Sequence, residues 1–276
     1  MNKESYFISL FRDGAIGDDA ALLAPLRRLC VSKDAFCEGV HFRREWMSLY
    51  RIGYKAMAVN LSDAVAMNAD PRYALLSVAL PRQMDRAQMR ELAAGLTAAA
   101  AEYGVRIVGG DTVADSKLDI SITILAEAPH RPLGRRGIRR GDLLAYTGYL
   151  GGSARTLRRL LRGGRPAERG RFFTPVLRRA FIRRAARHLR AGMDISDGLF
   201  DDTAKLSRIN RLGFRPITAV GRAAGCSGEE YEMLIAFSPR KRRALIRIAA
   251  ATRTPLHLFA RAERGLFCNP CRPHHF

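Results

Sequence analysis

The segment Tyr54 to Pro71, YKAMAVNLSDAVAMNADP, constrains the fold of this chain more than any other stretch. It is apolar and of helical length, with one carboxylate, Asp63, at its middle. Small residues surround that carboxylate: Ala56, Ala58, Ala64 and Ala66. An Asp in such a run is costly to bury unless something positive meets it. Most of the other Gly-flanked carboxylates look built to meet the same thing. They are Asp18 and Asp19 in IGDDAALL, Asp34 in VSKDAFCEGVHF, Asp111 in VGGDT, and Asp194 and Asp197 in MDISDG.

The chain has 276 residues, 47% of them hydrophobic, enough for one large or two ordinary domains with full cores. No apolar run reaches the length that spans a bilayer, so no membrane partner is expected. The N-terminus has acidic residues and no small-residue cleavage site, which argues against a secretory signal. Five scattered cysteines, an odd number, point to reduced thiols and a cytoplasmic setting. The formal charge of +21 comes largely from arginine, in blocks at Arg135 to Arg140, Arg155 to Arg165, Arg178 to Arg190 and Arg240 to Arg243. An anionic partner is one reading. In FTPVLRRAFIRRAARHLR, however, Val176, Leu177, Ala180, Phe181, Ala185 and Leu189 recur at helical spacing, so the arginines are expected on a solvated face.

Along the chain, Tyr6 to Phe11 reads as a short helix, and IGDDAALL as a glycine turn entering a strand. LCVSKD alternates as a half-buried strand. The Tyr54 segment is a helix, and YALLSVALP a buried strand. Asp85 opens the clearest helix, whose stripe runs through Met89, Leu92, Leu96 and Tyr103 to a C-cap at Gly104. VRIVGG is a strand running into a tight turn at Asp111, and LDISITILAEA alternates cleanly. The order β-α-β-α-β-β predicts an α+β fold with helices layered on one sheet face. A domain boundary is placed in the Gly- and Arg-rich HRPLGRRGIRRGD, dividing the chain into 1–130 and 131–276. Beyond it, LLAYTGYLGGSARTLRRLL reads strand, glycine turn, helix. The basic helix comes next, and MDISDGLFDDTAKLSRI is a helix entered through a glycine turn. GEEYEMLIAF is a strand, SPRKRRALIRIAAATR a helix capped by Ser238, and LHLFARA a final strand.

Oxygen ligands from Asp, with few histidines, suit Mg²⁺. Several Asp loops converging on one cleft imply several Mg²⁺ ions clamping a polyphosphate. Glycine turns beside them, and the TGYLGGSA turn at a helix N-terminus, offer N–H groups to an anion. No GxxxxGK[ST] motif is present. Cys268, Cys271, His274 and His275 in the tail are spaced too closely for the usual zinc finger.

Taken in order, IGDDAALL, SKDAFCEGVHF, YKAMAVNLSDAVAMNADP, GGDT, TGYLGGSA, MDISDGL and SGEEYEM resemble the successive motifs of the thiamine-monophosphate kinases, of the ATP-binding superfamily that includes aminoimidazole ribonucleotide synthetase and selenophosphate synthetase. The resemblance covers almost the whole chain. It implies transfer of the ATP γ-phosphoryl group to thiamine monophosphate, giving thiamine diphosphate. Carried over by motif, Asp19, Ser32, Asp34, Asp63, Asp111, Asp194 and Asp197 would be magnesium ligands. Gly110, Asp111, Arg135 and Ser196 would lie at ATP, with Arg136 one place from Arg135. His41 and Glu229 would contact thiamine monophosphate, although Glu230 and Glu232 stand beside Glu229. The implied fold is an N-terminal domain whose sheet pairs across a homodimer, with an α/β-layered C-terminal domain. Asp63 and Arg135 would carry catalysis. The competing readings are a related synthetase, a basic nucleic-acid-binding protein without turnover, and a homologue that binds nucleotide and does no chemistry. A carboxylate cluster has no use in a polyanion binder, so nucleic acid is not the expected partner. The chain departs from the family pattern at Lys33, Asn68 and the Val-Ala after GGDT. Pro273 stands near the place of a stacking aromatic, and the C-terminal half looks abbreviated after Asn210.

Overall fold

The computed structural model describes residues 2–17 and 19–271. Asp18 and the tail positions Pro273, His274 and His275 lie outside the described residues. The chain builds an α+β fold on two sheets. Among the described residues no helix is long and apolar enough to cross a membrane.

After α1 (Lys3–Ile8), the first sheet takes β1 (Leu29–Cys37), β2 (Asp70–Pro81), β3 (Arg106–Asp115) and β4 (Asp119–Glu127), in the order β1-β4-β2-β3. Two 18-residue helices, α2 (Leu49–Ala66) and α3 (Arg86–Tyr103), cover one face. The alternation in β4 is strict: Ile120, Ile122 and Ile124 are buried against the helices, while Ser121 and Thr123 face away. α3 follows its caps, with Asp85 and Gln88 forming a capping box and Gly104 left-handed at the end. α2 and α3 cross where Gly53 meets Gly95. A Cβ on Gly95 would lie 2.0 Å from the Tyr50 carbonyl oxygen, so only glycine lets the helices approach this closely. α2 ends at Asn68, whose φ of 57° is the left-handed value expected of asparagine there.

The second sheet contains β5 (Leu143–Thr147), β6 (Ala191–Asp194), β7 (Gly213–Pro216), β8 (Met233–Phe237) and β9 (Leu256–Glu263), in the order β6-β8-β5-β9-β7. β8 is buried along its whole length. Leu234 and Ala236 face the core under α6 (Leu199–Asn210), and Met233, Ile235 and Phe237 face the core under α5 (Arg179–Ala185) and α8 (Arg242–Ala251). A central strand covered on both faces needs a continuous apolar run, and MLIAF supplies it. The remaining helices are α4 (Gly152–Leu161) and the short α7 (Arg222–Gly225). The core of the first sheet also takes in Phe172, Phe173 and Leu177 from beyond the linker.

The structure corrects several local expectations. IGDDAALL forms no strand; its described residues are irregular. Gly110 and Asp111 are no turn but part of β3, which pairs in parallel with β2 through a register shift at Ala74/Leu75. The basic helix is short, and its arginines are not all solvated. Arg178 binds Glu232, and Arg179 donates to the Tyr103 carbonyl and to Asp70. β6 and β7 lack the alternation that would reveal them, since each has only 4 residues.

The thiols are not all reduced: Cys226, after α7, is bonded to Cys271, 45 residues on. Cys30, Cys37 and Cys268 are free. Thiol titration of the unreduced, unfolded protein should count three groups, rising to five after reduction. A count of five without reductant would remove this bridge.

Candidate active site

The residues singled out in the sequence fall at the two edges of the first sheet. At the β1 edge, Ser32, Asp63, Asp194 and Arg135 line a cavity of about 750 Å³. β1 supplies Ser32 and Asp34, which strand alternation places on one face, and Lys33 between them also lines the cavity. α2 supplies Asp63, and the end of β6 supplies Asp194, which is 4% exposed. Arg135 comes from the linker, where its carbonyl accepts from the Asn210 side chain.

Three carboxylates act on one another here. Burial pushes the Asp63 carboxyl up to about 7, the fields of Asp194 and Asp34 push the same way, and Arg135 opposes them. Burial likewise raises Asp194, against the Ser62 hydroxyl, which donates to its Oδ2 at 2.6 Å, and against Arg135. Asp34 is raised by burial and lowered by His41. The Tyr231 phenol is raised by burial and then by Glu229, Asp194, Asp34 and Asp197. These groups therefore surround one region. Ser32 Oγ within it is buried and has no hydrogen-bond partner. Among the described residues, no three His, Cys, Asp or Glu side chains already form a metal-holding group.

At the opposite edge, Asp19, Gly110 and Asp111 line a second cavity of about 360 Å³, walled by Phe7, Phe11 and Leu76. Gly110 has φ 150°, and a Cβ there would sit 1.7 Å from the Leu76 carbonyl oxygen. The polypeptide is thus as close to β2 as backbone allows, and the cavity floor is bare main chain. The single chain divides the acidic set between two pockets.

The other named residues lie around the first cavity. Asp197 pairs with Lys205, which also reaches buried Asp202 at 2.7 Å. The Ser196 carbonyl accepts from Glu229 N at 2.7 Å. His41 Nδ1 accepts from Cys37 N at 3.0 Å, and its ring stacks on Phe36 at 5.6 Å.

The three neighbouring glutamates have separate jobs. Glu230 is 1% exposed and accepts from Gly151 N, Ser153 N and the Ser227 hydroxyl. The anion seat expected at the α4 N-terminus is therefore filled from within by this carboxylate. Glu232 is fully buried between Arg178, Arg171 and Thr147. Glu229 keeps a side chain 26% exposed and pairs with Lys55. Sequence reasoning overlooked Lys55 and Ser62. The signal was present: Lys55 and Ser62 are seven positions apart, two turns of helix, and so share one face of α2 beside Asp63.

Residues 17–128 match the family model described as AIR synthase related protein, N-terminal domain. The chain is 35% identical over 254 residues to the thiamine-monophosphate kinase of Rhodopirellula baltica, covering 82% of this chain and 76% of that one. The crystal structure of thiamine-monophosphate kinase from Stenotrophomonas maltophilia K279a superposes with a TM-score of 0.83 at 28% identity, covering 92% of this chain and 90% of that one. The structure described as AaThiL complexed with AMPPCP and TMP superposes with a TM-score of 0.77 at 26% identity, covering 93% and 88%.

Proposed function

Because the chain belongs to the thiamine-monophosphate kinase family, we propose that it transfers the γ-phosphoryl group of ATP directly to the phosphate of thiamine monophosphate, giving thiamine diphosphate. The observation that carries this reading is the group of Asp63, Asp194 and Asp34, whose charges act on one another, with Arg135 beside it. Lys33, Arg135, Arg136 and Arg190 line the same cavity, a positive rim suited to phosphate, and the unpartnered Ser32 Oγ adds an oxygen donor beside the carboxylates. An all-oxygen set of this kind fits Mg²⁺, which takes one or two carboxylates and completes its shell with water and phosphate oxygens. Ser32, Asp34, Asp63 and Asp194 would hold it, with Asp197 released from Lys205. Bound there, the ion neutralises phosphate charge during transfer.

The residues of the chain have a limited task. The acceptor is a phosphate oxygen, already anionic near neutral pH, so no general base is required. Arg135 lowers the repulsion between the two phosphorylated ligands, and the pocket walls hold them in line. His41, from the turn after β1, and Glu229, from the loop before β8, are assigned to the thiamine moiety. The pocket of Asp19, Gly110 and Asp111, with its aromatic wall and bare backbone floor, is assigned to the nucleotide, together with Ser196.

The division of ligands between the β1 and β3 edges supports a homodimer, in which a partner's sheet would bring the two sets together. Leu29, Val31 and Val113 are 58%, 55% and 53% exposed on the first sheet in the single chain. We assign 1–130 to the dimerising, metal-holding domain and 131–276 to the domain that closes on it.

The test is direct. Purified protein given ATP, Mg²⁺ and thiamine monophosphate should form thiamine diphosphate and ADP in equal amounts. It should elute at twice the 30.7 kDa of one chain. ATP hydrolysis without diphosphate formation would refute the assignment of acceptor.

A further inference from the structure

We propose that Lys55 is a positioning residue for the substrate: its buried ammonium fixes the carboxylate of Glu229, and with it the loop that closes on thiamine monophosphate. This rests on the reading above, in which Glu229 meets that substrate.

Lys55 lies in the middle of an otherwise apolar turn of α2 and is 0% exposed. Its Nζ is 2.7 Å from Glu229 Oε2. It stands 4.1 Å from the ring centre of Phe172 and 5.7 Å from that of Phe36. Two aromatic faces and a carboxylate form a cation cage, and here the cation is internal. Phe36 in turn stacks on His41. Of the two side chains assigned to the substrate, Glu229 thus meets Lys55 directly and His41 is linked to it through Phe36.

The loop it holds is conformationally demanding. Glu229 and Tyr231 both have left-handed backbones, with φ of 54° and 50°. Non-glycine residues persist there only when their surroundings over-determine them. The main chain is tied by Glu229 N to the Ser196 carbonyl and by Tyr231 N to the Ile195 carbonyl. Neither bond sets the direction of the Glu229 side chain; Lys55 does.

Stability alone gives little reason for such a pair. A buried ion pair returns about as much as an apolar pair of equal volume, because desolvation offsets attraction. What the pair supplies is direction. Lys55 also lies on the α2 face that carries Ser62, two turns on, and Ser62 ties α2 to Asp194. One rigid helix therefore registers both the carboxylate cluster and the substrate loop.

The experiment compares Lys55→Met, Lys55→Arg, Glu229→Gln and the Lys55→Met/Glu229→Gln double variant with the parent enzyme. Lys55→Met should raise KM for thiamine monophosphate at least tenfold, leave KM for ATP within twofold, and weaken thiamine monophosphate binding by calorimetry to the same degree. Lys55→Arg, which keeps the cation, should recover most of the loss. The double variant should be no worse than Glu229→Gln, since Lys55 acts through that carboxylate. Equal changes in both KM values, unchanged substrate binding, or additive losses in the double variant would each overturn the proposal. If Glu229→Gln alone leaves substrate binding intact, it is the assignment of Glu229 that fails. If Lys55→Met does not fold, Lys55→Gln decides in its place, because it loses the cation and keeps a polar chain: a purely structural lysine would leave its substrate KM unchanged and shift only its melting.

Discussion

Asp63→Asn should lower turnover by about 10³-fold or more while making the ligand-free protein more stable at pH 8. The two effects have one cause. The Asp63 carboxyl is pushed up to about 7 in the folded chain from its ordinary 3.8, first by burial and then by Asp194 and Asp34. Between those values the folded state binds more protons than the unfolded state, so stability falls as pH rises through the window. Above it, the folded protein carries a carboxylate that its surroundings oppose, at a cost of about 2 kcal/mol or more. Asparagine has the same shape and no charge, so it removes that cost. It also removes a ligand for a cation clamped on transferring phosphate, where loss of electrostatic stabilisation is expensive. Melting curves at pH 5 and pH 8 check the first effect: the parent should lose stability across the interval by about 2 kcal/mol more than the variant does. Added Mg²⁺ with nucleotide should stabilise the parent and not the variant. An active variant, or one less stable than the parent at pH 8, would sink the assignment of Asp63.

Glu232→Ala should destabilise the fold by about 3–5 kcal/mol, because it leaves buried cations without their partner. Glu232 is fully buried, and Arg178 grips it through two hydrogen bonds of 2.7 Å. Burial has already pulled the Arg178 guanidinium down to about 10. Arg171 shares the same carboxylate, and Thr147 donates to it at 2.6 Å. Removing one side chain therefore orphans three donors. Denaturant unfolding followed by circular dichroism measures the loss. The companion variant Glu232→Leu/Arg178→Met should cost much less than the sum of its single changes, since it removes charge and countercharge together. A double-variant cost equal to the sum of the single costs would mean that the pair contributes little.

Much of the fold was legible in the chain itself. The caps of α3, the alternation of β4 and the apolar run of β8 are local signals, and each element formed where its signal stood. The order β-α-β-α-β-β produced the expected sheet with helices on one face. The place of Asp63 in a helix of small apolar residues was legible for the same reason, and the structure puts it at the wall of a cavity. The short strands β6 and β7 were not legible, because 4 residues carry no measurable period.

Composition, periodicity and spacing determined which side chains are candidates; only the tertiary structure decided which of them share a place. Glu229, Glu230 and Glu232 are equivalent as sequence. Long-range partners separate them: Lys55 for the first, the α4 N-terminus for the second, and Arg178 with Arg171 for the third. The placement of Asp19 and Asp111 at one sheet edge, and of Ser32, Asp34 and Asp63 at the other, follows from strand order, which no local pattern encodes. The Cys226–Cys271 bridge and the burial of Lys55 have the same origin. Each depends on chain segments distant in sequence arriving side by side, and that is fixed by the packing of whole layers rather than by the preference of any residue.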